Sequence, residues 1–565
     1  SCQECAPEGS DDLVASFPNL RGLGRLSAPP EEWAKCVLPE MPPQAQHGTL
    51  KNGLRWIVHE NREPKSRAEL YLIVGFGSLV EEESERGIAH IIEHLGFSAT
   101  KSYENHAIVK FLESIGAPFG ACQNAYTSFD RTVYTLHVPT DKAGLLDESL
   151  TVLREFAYFT RISEEDLSKE RKVVLEEWRE SKNANGRLFE DYIKALCKDC
   201  RWCERLPIGK EEVIKGVSAE TLRNFYRRYY HPARMAVVAV GDFDGAAVAA
   251  KVQELFDIPP GEISPLPRDP EAPERPQYPV PETPGIVVAS STDPELSFAQ
   301  GLLDCKRPRK SFTTVHDYRR YLTEELFHRA FSSRLLKLTV EPRGPRNVFS
   351  VSTETSEPVP PLSPMSISIA PLPGRMCQAL RSIMQEVERV KRMGFHKSEL
   401  SRAKRSILAE FEEQYIEREQ SSSDAFAEDY VGLILDAAAS PGIEERARVA
   451  ATVLPTILHE EVMQVAKEFD FTKNVVLKIA TPAMSVRNPL YTLWSILGAA
   501  WNLGVPKPKM DLPDAAQVAE LVRCVAAENL EPWPQDEDDV ETRLRRRFEA
   551  CAERRKGAEV AAAGL

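Results

Sequence analysis

The residues whose types and spacing best suit chemistry lie in the run His90-Ile-Ile-Glu93-His94. On a helix, positions i, i+3 and i+4 share one face, so two imidazoles and a carboxylate converge. The imidazole pair can hold a divalent ion, with zinc favoured by this ligand type in an open site. The carboxylate between them can reach a water on that ion. The order is the mirror of H-E-x-x-H, where two histidines grip zinc and a glutamate acts as base. Taken by itself, the same pattern also describes two histidines on an ordinary surface helix.

Two histidines leave zinc under-coordinated, so a further ligand is required. Ser163-Glu-Glu-Asp166 is a capping-box-like helix start. The helix it opens carries Glu170 and Glu177, two turns apart on one face, with Glu176 turned away by about 100°. Acidic residues are commonplace on exposed helices. Val173, Val174 and Trp178 nevertheless predict a partly buried helix, and a carboxylate near its buried side requires a partner.

Arg86-Gly-Ile-Ala-His-Ile-Ile-Glu-His-Leu-Gly-Phe97 resembles the active-site helix of the pitrilysin/insulinase-type zinc peptidases, the inverzincins of H-x-x-E-H order. Glu170-Arg-Lys-Val-Val-Leu-Glu-Glu177 is similar to the second segment of that family. Asn124-Ala-Tyr-Thr127, with Phe129 and Val133-Tyr134, is similar to its substrate-side strand. Asn52-Gly-Leu54, Glu177-Trp-Arg179, Pro207-Ile-Gly209 and Gly241-Asp242 extend the likeness, which leans toward PqqL-like zinc proteases and processing peptidases. It spans roughly residues 45–485 and is stronger in the first half.

The resemblance implies that His90, His94 and Glu177 are zinc ligands, with one zinc per catalytic domain. It implies that Glu93 is the general base and that Glu170 is an outer carboxylate orienting the ligands. Asn124 and Ala125 would bind an extended peptide through backbone and amide hydrogen bonds. The implied activity is zinc-dependent endopeptidase hydrolysis of peptides or unfolded protein segments.

The elements around these residues predict an α+β fold. Leu54–Val58 and Leu70–Val74 read as strands, followed by helices near 86–98, 104–115 and 141–160. Thr132–Val138 reads as a strand between the last two helices, and Met235–Val240, stopped by Gly241, as a buried strand closing the unit. The ten prolines from Pro259 to Pro284 predict a stiff, extended linker. The halves on either side look duplicated at an offset of 233: Leu167 meets Leu400, Arg171 meets Lys404, Glu177 meets Glu410 and Trp178 meets Phe411.

The expected organisation is an N-terminal extension (1–44), a catalytic domain (45–257), the linker (258–285), a homologous inactive domain (286–485) and a helical, charged C-terminal extension (486–565). The second half lacks paired histidines among His316, His328, His396 and His459, and Ala403 stands at the counterpart of Glu170. Relatives often contribute an arginine and a tyrosine from this domain. Here the stretch holds Pro342 and Arg343, and Phe349 takes the tyrosine's place. Two such domains form half of a peptidase chamber, so a second two-domain unit is expected from a homodimer, a partner subunit or a further part of the chain.

Composition narrows the function classes. The chain of 565 residues is 42% hydrophobic and 28% charged. That balance suits several packed domains. A net charge of −14, from 71 basic and 85 acidic residues, argues against a nucleic-acid or anionic-membrane binder. No membrane span is expected: Leu490–Val505 is too short and reads as a buried or interface helix. The runs Arg543–Arg547 and Arg554–Lys556 suit a solvated tail or a partner-binding helix. A first residue Ser1 suits a processed or excerpted form, leaving plastid, mitochondrion and cytosol all compatible.

Eleven cysteines do not suggest a disulfide framework. Cys197, Cys200 and Cys203 form C-x-x-C-x-x-C, either a metal or redox site or a thiol-rich surface loop; Cys2 and Cys5 carry less weight. Two alternatives to the peptidase reading therefore stand: a non-catalytic structural or substrate-binding subunit of the same family, and a metal-binding scaffold around Cys197–Cys203.

Overall fold

The computed structural model describes residues 10–118, 120, 122–263, 274–340, 345–483 and 512–533. Two short helices, α1 (Ser10–Ala15) and α2 (Pro18–Gly22), come first. Strands β1 (Ala45–Thr49), β2 (Arg55–Glu60) and β3 (Arg67–Val74) lead to helices α3 (Ile88–Ser98) and α4 (Ala107–Ser114). Strands β4 (Gln123–Thr127) and β5 (Thr132–Pro139) precede α5 (Leu145–Tyr158), α6 (Glu164–Glu180) and α7 (Ala184–Leu196). Helices α8 (Arg201–Glu204), α9 (Glu211–Gly216) and α10 (Ala219–Tyr229) lead into β6 (Met235–Gly241) and α11 (Gly245–Phe256).

Beyond the proline-rich stretch come β7 (Ile286–Asp293), β8 (Gln300–Cys305), α12 (Val315–Val340), β9 (Val348–Thr355) and β10 (Met365–Pro371). Helices α13 (Met376–Met393), α14 (Lys397–Ile416), α15 (Ser423–Asp436), α16 (Gly442–Val453) and α17 (His459–Ala466) follow, then β11 (Val475–Pro482) and α18 (Ala515–Ala527).

The strand orders reveal the duplication. The first sheet runs β1-β2-β6-β3-β5-β4 and the second β7-β11-β8-β10-β9, so they match strand for strand with β1 added. In each, one parallel pair (β2 with β6, β7 with β11) joins an otherwise antiparallel ladder. The helices agree to the residue: Ser163 caps α6 and its counterpart at the same offset, His396, caps α14. Arg171 donates to the carbonyls of Ile214 (2.9 Å) and Val217 (2.6 Å), and its counterpart Lys404 donates to those of Pro455 (3.2 Å) and Ile457 (2.8 Å).

Each sheet is covered on one face by its own helices and on the other by a helix from the opposite half. Leu70, Leu72 and Val74 of β3 pack with α3, α5 and α11, while Tyr71 and Ile73 point the other way, onto Ala427, Tyr430, Val431 and Ile434 of α15. Reciprocally, Ile193, Ala195 and Leu196 of α7 pack on Val287, Ala289 and Val476 of the second sheet. Burial on both faces is why Leu70–Val74 and Met235–Val240 are unbroken apolar runs rather than alternating ones. The strand expected to close the first unit is instead central in its sheet, and α11 follows it.

Where described, both extensions pack against the second half. Phe17, Leu20, Trp33 and Leu38 enter the core of the second half, so the N-terminal segment docks rather than trails. Helix α18 buries Val518 and Val525 against α13, because its apolar residues recur on one side. The basic runs 543–547 and 554–556, Leu490–Val505, Cys2, Cys5, Pro342 and Arg343 lie outside the described residues. In the described part of the proline-rich stretch, Pro260–Glu262 forms a short 3₁₀ turn, contrary to a wholly extended linker, and the part from 274 to 284, without helix or strand, is pinned at Arg275, which bonds Asp130 (2.7 Å) and the Leu435 carbonyl (2.8 Å).

Candidate metal centre

Helix α3 begins at Gly87, whose φ of +104° suits only glycine comfortably. Its neighbour across the turn is Gly209, at φ +75°; a Cβ there would collide with the Cα of Gly87, so both positions exclude side chains. The buried carboxylate of Glu81 accepts from the backbone N–H groups of Gly87 (2.9 Å) and Ala89 (2.8 Å), satisfying donors that a helix start leaves unpaired. Helix α6 is fixed by Ser163, whose hydroxyl accepts from the Asp166 N–H at 3.0 Å, a cap worth about 1 kcal/mol.

These helices cross so that three side chains meet. The Nε2 atoms of His90 and His94 are 3.2 Å apart, and Oε2 of Glu177 lies 3.5 Å from the first and 3.2 Å from the second. Among the described residues this is the one group of three or more metal-type ligands whose donor atoms gather within 4.8 Å. Tetrahedral zinc with bonds of roughly 2.0–2.1 Å requires ligand separations of about 3.3 Å, so the triangle fits that ion.

Electrostatics points the same way. Burial pulls the His90 imidazole down to about 4. Burial also works against charge on His94, but the carboxylates of Glu170 and Glu177 overcome it and push that ring up to about 10. The two carboxylates thus favour a positive charge beside His94, while burial disfavours one on His90. Glu170 is nearly buried, with one oxygen 3.7 Å from Nδ1 of His94 and the other 3.7 Å from Nε2 of His106.

Glu93 projects from the same helix, and burial pushes its carboxyl up to about 7. The Thr127 hydroxyl donates to it at 2.7 Å. Thr127 ends β4, the outermost strand of the first sheet, which packs beside α3. Asn124 is exposed on that strand and Ala125 half-buried; the Ala125 N–H is engaged by the Asn124 side chain at 2.9 Å. Among the described strands, the sheet order leaves one edge of β4 without a strand partner.

The structure brings His90, His94, Glu177, Glu93 and Glu170 together, with Asn124 and Ala125 on the adjoining strand. Three further contacts were not foreseen. Thr127 lies within the strand motif, but its bond to Glu93 depends on the register of β4. His106 reaches Glu170 through left-handed backbone at Asn105 and His106, which leaves no periodic signature. Glu81 precedes the motif, and only the chain reversal at Gly87 returns it to the helix start.

Among the described residues, Cys197, Cys200 and Cys203 do not gather as a group of metal-type ligands. Cys200 and Cys203 donate their thiols to the carbonyls of Cys197 and Cys200, both at 3.0 Å, and no three sulfurs converge among the described residues. In the second half, Glu410 bonds the Arg329 guanidinium at 2.7 Å beside a cavity of about 370 Å³. Phe349 stands exposed on β9.

Comparison with known proteins follows this division. Residues 56–200 match the family described as Insulinase (Peptidase family M16), and residues 216–407 match the Peptidase M16 inactive domain. An Arabidopsis thaliana protein named Zinc protease PQQL-like is 37% identical over 439 residues, covering 78% of this chain and 42% of that relative. The stromal processing peptidase of Oryza sativa subsp. japonica is 33% identical over 276 residues, covering 48% of this chain and 21% of that protein. The crystal structure of the first half of the periplasmic protease PqqL from Escherichia coli superposes with a TM-score of 0.78 at 21% identity, covering 88% of this chain and all of that one. This chain thus spans less than half the length of the relatives it matches in sequence. No described helix is long and apolar enough to cross a membrane. With an M16 catalytic-type segment followed by an M16 inactive-domain segment, and a fold shared with the leading half of PqqL, the chain belongs to the pitrilysin/insulinase (M16) zinc peptidase family, among its PqqL-like members.

Proposed function

We propose that this chain is the zinc-binding, catalytic two-domain unit of a metalloendopeptidase that cleaves peptides or unfolded protein segments held in extended form. The observation that carries the reading is the His90–His94–Glu177 triangle with Glu93 buried beside it. His90 and His94 would hold zinc through Nε2 and Glu177 through Oε2, while Glu170 steadies the His94 ring from behind. Bound there, zinc supplies Lewis-acid polarisation of the scissile carbonyl and acidifies water.

The remaining work falls to the chain's own groups. Glu93 takes a proton from the attacking water and passes it to the leaving amide nitrogen, a task suited to a carboxyl held near neutrality. The Thr127 hydroxyl fixes one Glu93 oxygen and leaves the other for the water. The open edge of β4, which carries Asn124 and Ala125, pairs with the substrate backbone. The Glu177 side chain is 42% exposed, so the ligands face an open surface. A second two-domain unit would close it into a chamber, consistent with a chain covering 42% of its Arabidopsis relative.

The intact ligand set favours this reading over a non-catalytic subunit. The test is metal stoichiometry together with chelator-reversible cleavage of an unfolded polypeptide. The proposal expects one zinc per chain, lost in His90→Ala and Glu177→Ala, and cleavage that zinc restores. Zinc retained by those variants would overturn the assignment.

A further inference from the structure

The C-x-x-C-x-x-C run is left unused by the peptidase reading, yet the structure joins it directly to the catalytic helix. Cys197 ends α7 and is fully buried; Cys200 and Cys203 are partly exposed beside α8. Asp199, between Cys197 and Cys200, adopts left-handed backbone, φ +61°, and the Cys200 thiol lies 3.0 Å from the Cys197 carbonyl. The Lys306 ammonium, donating to the carbonyls of Leu196 (3.1 Å) and Pro281 (2.8 Å), brings positive charge to both thiols. Interaction between the two side chains, helped by the N–H groups of Trp202 and Cys203, draws the Cys200 thiol down to about 7 against its burial, while the same interaction together with burial pushes the Cys197 thiol up. A thiol in such surroundings is a competent nucleophile near neutral pH.

Helix α8 is the link. Arg201 donates to the carbonyls of Leu79 and Glu81, each at 2.5 Å, and Arg205 donates to the Glu81 carbonyl at 2.8 Å. The Ser78 hydroxyl donates back to the Arg205 carbonyl at 2.5 Å. Glu81 is the residue whose carboxylate caps Gly87 and Ala89 at the start of α3. Moving α8 therefore moves the support of the helix that carries His90 and His94.

We infer that Cys197 and Cys200 form a reversible thiol–disulfide switch whose closure loosens the N-terminus of α3. The Cys200 thiolate attacks a small-molecule disulfide such as glutathione disulfide, forming a mixed disulfide and expelling one glutathione thiolate. Cys197, giving its proton to that thiolate, attacks the Cys200 sulfur and expels the second glutathione. The protein loses two hydrogens and one disulfide becomes two thiols. The reduced Cys200 thiol donates to the Cys197 carbonyl, so closing an S–S bond of about 2.05 Å breaks that hydrogen bond and turns Cys200, the N-cap residue of α8.

The chain, at fixed zinc content, is equilibrated with glutathione and glutathione disulfide at graded ratios, quenched with acid, and mapped by mass spectrometry and hydrogen exchange. A Cys197–Cys200 bridge is expected, with the amides of Gly87 and Ala89 exchanging about fivefold faster, the size of a lost cap. Cys197→Ser should trap glutathione on Cys200 and leave α3 exchange unchanged. Cys200→Ser, at a less buried position, should show neither bridge nor adduct in the loop. No bridge at any ratio, a bridge between Cys200 and Cys203, or a bridge with unchanged α3 exchange would each overturn the inference. None of these readouts uses peptide turnover, so failure of the peptidase reading would not be mistaken for failure of this one.

Discussion

Glu410 occupies in α14 the place that Glu177 occupies in α6, and bonds the Arg329 guanidinium at 2.7 Å instead of facing two imidazoles. A cation already neutralises the second-half carboxylate, and Ala403 replaces the outer carboxylate of the first half. Zinc stoichiometry should therefore be unchanged in Glu410→Gln. Both partners of that pair are more than a third exposed, so its loss should cost no more than about 1 kcal/mol in urea unfolding.

Glu170 is expected to act through His94 rather than on substrate. Glu170→Gln keeps the shape but removes the charge that favours His94 as a ligand. Zinc affinity should fall about 10–100-fold, measured by competition with a chromophoric chelator. His106→Ala, which removes the contact to the other Glu170 oxygen, should change it far less because that ring is half exposed.

Acid should weaken the join between the halves. His59 on β2 is buried beneath α15, where Nδ1 lies 2.7 Å from the Tyr430 hydroxyl, and burial lowers its pKa from 6.5 to about 4. The unfolded chain takes up this proton below about 6.5, the folded chain only near 4. The stability contribution is therefore full above 6.5 and is lost as pH falls through that window. Between pH 7 and pH 5 the His59 share of the loss should be about 2 kcal/mol, read from denaturant midpoints as the difference between the wild type and a variant lacking this pair. The double variant His59→Leu with Tyr430→Phe should flatten that slope.

Much of the site could be read from the sequence because its chemistry is local to two helices. His90, Glu93 and His94 lie within one turn and a half of α3, and Glu170 and Glu177 lie on one face of α6. What the sequence could not show depends on contacts between distant segments. Tyr71 and Ile73 looked like part of one apolar run, but α15, the helix that covers them, belongs to the other half of the chain. The N-terminal segment lacks periodicity because it contributes isolated anchors, Phe17, Leu20, Trp33 and Leu38, to a core built by the second half. Thr127 and His106 acquire their partners only from strand register and left-handed backbone.

The crossed helices make the halves interdependent. Ile73→Ala, on the face of the first sheet covered by α15, should destabilise the chain by about 2–5 kcal/mol. The first half expressed alone would expose that face and should aggregate, whereas co-expression with the second half should restore solubility. Soluble, cooperatively unfolding first half by itself would contradict this packing account.

The most direct test of the central claim is zinc content and turnover of a quenched extended-peptide library, compared between the wild-type chain and Glu93→Gln. The account predicts one zinc per chain in both and turnover in the wild type alone, because the substitution removes the proton acceptor and leaves the ligands in place. Turnover in Glu93→Gln at the wild-type rate, or absence of zinc from the wild type, would contradict it.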